Sequence, residues 1–145
     1  MKSDALDVTA CTCANLRKAS RLVTQIFDAN LRDVGMKPTQ FTLLATLDIT
    51  GELPLTQLAD AMVMERTTLT RNLNPLKQKG YVSIVQDDDH RVRRIQLTKE
   101  GTVALKKARP AWERAQTQII DQLGDTQWAS LLTDLATTID VIQRR

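Results

Sequence analysis

No stretch of this 145-residue chain is apolar for the roughly 18 residues that a membrane span requires. The polar start MKSDALD has neither the basic end nor the apolar run of a secretory signal, so the cytoplasm is the expected compartment. Cysteine and histidine are scarce: Cys11, Cys13 and His90 are all there is. Two cysteines that close make no framework disulfide, and without a further Cys or His cluster they hold no zinc. Glycine is scarce too, and no glycine-rich loop is placed to cradle a phosphate. Neither a cofactor, nor a metal, nor an enzymatic activity is therefore expected. Internal repeats and low-complexity segments are also missing.

What the chain does contain suits a small regulator. It is 42% hydrophobic, enough for a real core, although a helical protein of this size often shares part of its core with a partner. The formal net charge of +3 leans toward a polyanionic partner, but 17 acidic residues dilute the excess, so its placement matters more than its size.

The most informative stretch is YVSIVQDDDHRVRRIQLTKEG, Tyr81 to Gly101. Val82 and Ile84, then Ile95 and Leu97, fall at period two on either side of an acidic turn, which predicts a β-hairpin with one buried face. Its tip, Asp87-Asp88-Asp89-His90-Arg91, would stand in solvent. Just before it, LTQLADAMV and ERTTLTRNLNPLKQKG read as two short helices joined by a tight turn. Two helices and a charged hairpin make a winged helix-turn-helix, whose second helix enters a DNA major groove while the hairpin tip reaches backbone or minor groove.

Helices flank this core. Leu16, Ala19, Val23, Ile26, Phe27, Leu31 and Val34 keep one stripe on a helix from about Val8 that Gly35 ends. Pro38 suits the first turn of a second helix carrying Phe41, Leu43, Leu44 and Leu47 and closing near Gly51. Thr56 is the expected N-cap of the first helix of the helix-turn-helix. After the hairpin, Thr98 caps a helix through Ala108, which Pro110 should kink or break. Asp125 would cap a last helix striped with Trp128, Leu131, Leu132, Leu135, Ile139 and Ile142. Long amphipathic helices at both ends carry more apolar surface than one compact core covers, which points to a two-fold homodimer. The expectation is a mainly α protein: a winged helix-turn-helix core (residues 35–101) with a two-stranded wing, between an N-terminal dimerisation helix (1–34) and C-terminal dimerisation helices (102–145).

Element order and motifs resemble the MarR family of winged-helix transcriptional regulators. The most specific match is DxRxxxxxLTxxG, present as Asp89, Arg91, Leu97, Thr98 and Gly101; ERTTLTRNL from Glu65 to Leu73 and GMKPTQFTLL from Gly35 to Leu44 match the family's recognition and second helices. The resemblance covers nearly the whole chain. It implies a triangular homodimer with interlocked terminal helices, binding successive grooves of a near-palindromic operator, usually as a repressor.

The DNA-binding candidates are Arg66, Thr67, Thr68, Thr70 and Arg71 on the recognition helix, with Leu69, Leu73 and Leu76 facing inward. Thr68 and Arg71 are assigned to base edges and Arg66, Thr67 and Thr70 to phosphate or mixed contacts. Pro75 forfeits a backbone hydrogen bond and is expected to bend the last turn. In the wing, Arg91 corresponds to the family's minor-groove arginine. Arg93 and Arg94 point to opposite faces of the returning strand, so one at most shares the DNA side, and Arg93 is the candidate. Asp89 would hold the tip in shape by pairing with an arginine, and His90 is an ordinary loop residue.

Family members often bind small, frequently aromatic, anionic molecules, and the resemblance implies such an effector here. The polar candidates are Asn15, Arg17, Lys18 and Arg21, with Phe27, Met36 and Phe41 as apolar walls. A second sensing route is a thiol. In a branch that senses organic hydroperoxides, a reactive cysteine precedes a Ser-Arg pair, and Cys13 stands at that distance from Ser20-Arg21. Arg17 and Lys18 would favour its thiolate. Against this, Arg17 and Phe27 replace the two tyrosines of that branch, and a buried structural cysteine is the preferred reading. With Cys11 and Cys13 on one helix, an intramolecular disulfide is disfavoured, while an intersubunit one is left open. A winged helix serving only as a protein-interaction module is the reading of another class. The operator, the regulated genes and the effector are not written in the chain.

Overall fold

The computed structural model describes residues 6–86, 88 and 91–144. Among them the chain order is α1 (Thr12–Leu31), α2 (Pro38–Thr50), β1 (Leu53–Pro54), α3 (Leu55–Met62), α4 (Arg66–Gln78), β2 (Val82–Gln86), β3 (Arg93–Leu97), α5 (Lys99–Leu123) and α6 (Asp125–Gln143). The sequence-derived candidates Asp89 and His90, and Asp87 with them, lie outside the described residues. The chain divides into two compact units, Leu31–Ala111 and a second formed by Met1–Asn30 with Trp112–Arg145. No helix among the described residues is long and apolar enough to cross a membrane.

The unit Leu31–Ala111 is the winged helix-turn-helix expected from the sequence. A short 3-10 turn, Arg32–Val34, ends on Gly35 in the left-handed region (φ 67°), which an L side chain enters only at a cost. Pro38 then opens α2, where its missing N–H is no loss, and the Gln40 side chain accepts a hydrogen bond from the Lys37 amide at 3.0 Å. The helices α2, α3 and α4 turn leucines inward: Leu43, Leu44, Leu58, Leu69 and Leu76 are fully buried, and Leu47 and Leu73 nearly so. Their spacing on α4 (69, 73, 76) follows the helical repeat and leaves the opposite face to polar residues.

The wing closes this core from below. Strands β2 and β3 pair antiparallel, with Val82 opposite Leu97 and Ile84 opposite Ile95, so the period-two residues share the inner face as the pattern required. A third strand was not foreseen. The two residues of β1 pair with β3, Leu53 opposite Ile95 and Pro54 opposite Arg94, giving the order β1-β3-β2. Two residues between two prolonged helices carry too little pattern to read as a strand, and it is the partner strand that makes them one.

Thr98 holds the exit of the wing. Its hydroxyl donates to the Gly80 carbonyl (2.6 Å) and accepts from the Gly101 amide (3.0 Å), capping α5 as expected. Gly101 packs so tightly on the strand entry that any Cβ there would be driven into the Tyr81 carbonyl oxygen and onto Leu97. The Leu-Thr-x-x-Gly motif thus has a physical basis: a cap followed by a helix turn with no room for a side chain.

Three expected boundaries are corrected. Thr56 does not cap α3; that helix begins one residue earlier, after Pro54 as N-cap. Asp125 is the first residue of α6 rather than its cap, which is Gly124 at φ 83°. Pro110 neither ends nor breaks α5, which runs unbroken from Lys99 to Leu123. A buried stripe, Leu105, Ala108, Ala111, Ala115 and Ile119, continues through the proline and holds the helix together by packing where one backbone bond is lost.

In the second unit, Phe27 of α1 and Trp112 of α5 form a tilted ring pair with centroids 6.5 Å apart. The last helix, α6, has no buried residue at all. Leu132, Ile139, Val141 and Ile142 stay exposed on it, as do Leu16 and Leu22 on α1.

Candidate nucleic-acid interface

The recognition helix α4 is framed by a tight turn and a packed back. The turn after α3 places Val63 in the left-handed region (φ 52°), where its amide and that of Met64 close back on the Asp60 and Ala59 carbonyls. With the leucine face of α4 buried, Arg66, Thr67 and Arg71 are exposed and Thr68 and Thr70 half-buried. The Thr70 hydroxyl donates to the Arg66 carbonyl (2.9 Å), a back-bond that leaves the oxygen lone pairs outward. Pro75 sits inside the helix, which nevertheless continues to Gln78.

Between α4 and the wing lies an open groove of about 490 Å³. Its walls are Arg66, Thr67, Thr70 and Arg71 from α4, Arg91, Val92 and Arg93 from the wing, and Pro54, Leu55 and Thr56 at the start of α3. Four guanidinium-bearing side chains meet there, and among the described residues no carboxylate lines it. So concentrated a positive charge in a concave surface focuses the field and favours a polyanion. Residues that are up to 39 positions apart in the sequence are brought together by the β2–β3 hairpin folding alongside α4.

The two wing arginines that are neighbours in sequence separate as the pleat demands. Arg93 stands opposite Gln86 and lines the groove, whereas Arg94, on the other face, lies 3.7 Å from Glu52 in an ion pair. Thr68 is the one recognition-helix candidate outside the groove; its carbonyl accepts from the Asn72 side chain at 2.8 Å. Thr56 is the wall residue that sequence reasoning missed. A threonine at a helix start reads as a cap, and only the approach of the wing turns its hydroxyl into part of a basic surface.

The effector candidates are divided between the two units. Met36 and Phe41 are buried in the helix-turn-helix core. Asn15, Arg17, Lys18 and Arg21 are exposed on α1, and Phe27 is half-buried against Trp112. The Asn15 amide is engaged locally, donating to the Thr9 and Cys11 carbonyls at 2.9 and 2.8 Å.

The cysteines overturn two expectations. Both are free and exposed rather than buried. Nor do they share a helix: Cys11 ends the short turn Val8–Ala10 in an extended conformation, and its sulfur accepts from the Ala14 amide at 3.4 Å, so it caps α1. Cys13 is inside α1, where the Arg17 Nε–H points to its sulfur at 3.4 Å. Sequence periodicity put the helix start before both residues, but the Asp7 carboxylate, which accepts from the Thr9 amide and hydroxyl, makes a separate turn first. Those two hydrogen bonds also hold the Asp7 carboxyl below its ordinary range.

The geometry has close counterparts. The Mycobacterium tuberculosis transcriptional regulator MosR, solved in complex with DNA, is 34% identical, with 92% of this chain and 96% of that one covered and a TM-score of 0.82. An HTH-type transcriptional regulator of Bacillus cereus is 29% identical over 117 residues, 79% of this chain and 77% of its own length. The PcaV regulator of Streptomyces coelicolor, solved with its natural ligand, shares the fold at a TM-score of 0.83 and 16% identity, with 95% and 98% covered. The sequence profile of the MarR family matches residues 34–91, which hold the helix-turn-helix and most of the groove's arginines. Fold, groove and relatives agree: this chain belongs to the MarR family of winged helix-turn-helix, DNA-binding transcriptional regulators.

Proposed function

We propose that the protein is a homodimeric, sequence-specific repressor that leaves its operator when a small anionic or aromatic molecule binds. The observation that carries the reading is the groove walled by Arg66, Arg71, Arg91 and Arg93 without an acidic residue among those described. Arg71, exposed on α4, reads guanine through a bidentate contact, with Thr67 and Thr68 beside it at base edges or phosphates. Arg91 enters the minor groove, where negative potential is focused, and Arg66, Thr70 and Arg93 hold the backbone. The exposed apolar residues of α1 and α6 support a second copy as the covering partner. Such a dimer spaces two reading helices about one helical turn of DNA apart and so selects a near-palindrome. Like any regulator of transcription it would work in the cytoplasm, beside the chromosome.

The effector reading rests on the exposed cations Arg17, Lys18 and Arg21 and on the ligand-bound PcaV relative. Exposed Cys13, with the Arg17 Nε–H at 3.4 Å, favours a second reading in which oxidation of the thiol, rather than a ligand, releases DNA.

Selection of bound sequences from a random DNA pool tests all of this at once, run alone, with peroxide, and with a panel of aromatic acids. A palindrome with half-sites about one turn apart is expected. Release by an aromatic acid supports the pocket, whereas release by peroxide that a Cys13→Ser variant resists supports the thiol. Enrichment of a single, unrepeated half-site would rule out the dimeric reading.

A further inference from the structure

The DNA-facing side of α4 extends beyond the groove. An α-helix advances about 100° per residue, so the buried residues Leu69, Leu73 and Leu76 define one direction and the residues on the opposite side are Thr67, Arg71, Asn74 and Gln78. These four recur at i, i+4, i+7 and i+11, one above the other on the outward face. Thr67 and Arg71 already line the basic groove. Asn74 is exposed, and among the described residues its side-chain amide has no partner. The contrast with Asn72, two positions earlier, is instructive. That amide is half-buried on the flank of the helix and spends a donor on the Thr68 carbonyl.

A free carboxamide on an outward helix face matches one base edge in particular. It accepts from the N6 amino group of adenine with its oxygen and donates to N7 with its nitrogen, a pair of bonds no other base offers in the major groove. Asn74 lies three residues past Arg71, about 4.5 Å along the helix axis. The rise of one base pair is about 3.4 Å, so the two side chains meet adjacent pairs rather than the same one. Beyond Asn74 the outward face has one position left, Gln78, the last residue of α4, before Gly80 turns the chain into β2; Pro75 between them is half-buried.

We infer that Asn74 is a specificity-determining residue that reads adenine at the base pair next to the one read by Arg71. This rests on the reading of α4 as the helix that enters the major groove.

The test is selection from a random DNA pool with the full-length wild type, Asn74→Ala and Asn74→Asp, with circular dichroism confirming that each variant melts as the wild type does. The wild type should enrich an adenine column beside the guanine column in each half-site. Asn74→Ala should make that column degenerate, with a loss of preference of about 5- to 150-fold, while the guanine column and the salt dependence of binding stay unchanged. Asn74→Asp, which can only accept, should move the same column toward cytosine, whose N4 amino group donates. Identical sequence logos for all three proteins would overturn the assignment and leave the major-groove reading intact. A change in salt slope without a change in any column would overturn it as well, by making Asn74 a backbone contact. If the wild type enriches no sequence at all, the underlying reading fails, and this one with it.

Discussion

The two units of this chain solve the burial problem in opposite ways. Leu31–Ala111 encloses eight leucines at 1% exposure or less, and its polar face is left for a ligand of opposite charge. The unit made of Met1–Asn30 and Trp112–Arg145 has comparable apolar content but buries little of it: α6 contributes no buried residue, and Ile139, Val141 and Ile142 are each at least half exposed. A core that closes on itself can fold and carry a rigid site. A set of apolar helix faces left open is completed only by another surface, which in the proposed function is a second copy of the chain.

The sharpest way to break this contrast is to charge the open face. Leu132→Asp with Ile139→Asp, a pair seven residues apart on α6, should leave the winged helix folded but yield a monomer by sedimentation. Losing the second half-site should then weaken operator binding by about 100-fold or more, since linked contacts multiply affinity. A dimer with unimpaired affinity would show that α6 has another role. In the closed core, Leu73→Ala should cost about 2–5 kcal/mol in chemical denaturation, because a cavity opens where the side chain is almost fully buried. Leu132→Ala, measured on the monomeric background, should cost well under half as much. Between these lies Gly101→Ala, which forces a methyl into the Tyr81 carbonyl and should destabilise by about 1–3 kcal/mol, the usual range for overpacking.

Within the winged helix the expected effects are smaller and distinguish neighbours. Arg93→Ala should reduce the slope of log affinity against log salt by about 0.9, the share of one phosphate contact, whereas Arg94→Ala, whose partner is Glu52 on the other face, should leave the slope unchanged. Equal effects of the two would mean that the pleat does not divide them. The smallest change expected is a gain. Val63 is a β-branched residue at φ 52°, and Val63→Gly should raise stability by up to about 1 kcal/mol, the relief of left-handed strain less the entropy that glycine adds to the unfolded chain.

Much of the fold was legible because its signals are local. The hairpin follows from alternation at Val82, Ile84, Ile95 and Leu97, the α5 start from Thr98, and the inward side of α4 from Leu69, Leu73 and Leu76. What was misread depended on partners distant in sequence. Pro110 looks like a helix breaker until the buried stripe on either side of it is counted, and Leu53-Pro54 looks like a linker until β3 lies beside it. The cysteines looked like core residues because small apolar side chains on a striped segment usually are, yet the turn built by Asp7 and Thr9 sets Cys11 outside the helix and leaves both thiols in solvent.

The candidate interface divides along the same line. That α4 should carry arginine and threonine outward, and that Arg93 and Arg94 should part company, follows from helical and strand periodicity alone, because side-chain direction is set by backbone geometry within a few residues. That Arg66, Arg71, Arg91 and Arg93 share one groove with Thr56, and that Asn72 is engaged while Asn74 is not, was decided by the packing of α3, α4 and the wing. Sequence determines which way a side chain points within its own element; only the tertiary structure determines what stands opposite it, because elements far apart along the chain meet through a core whose shape no single segment contains.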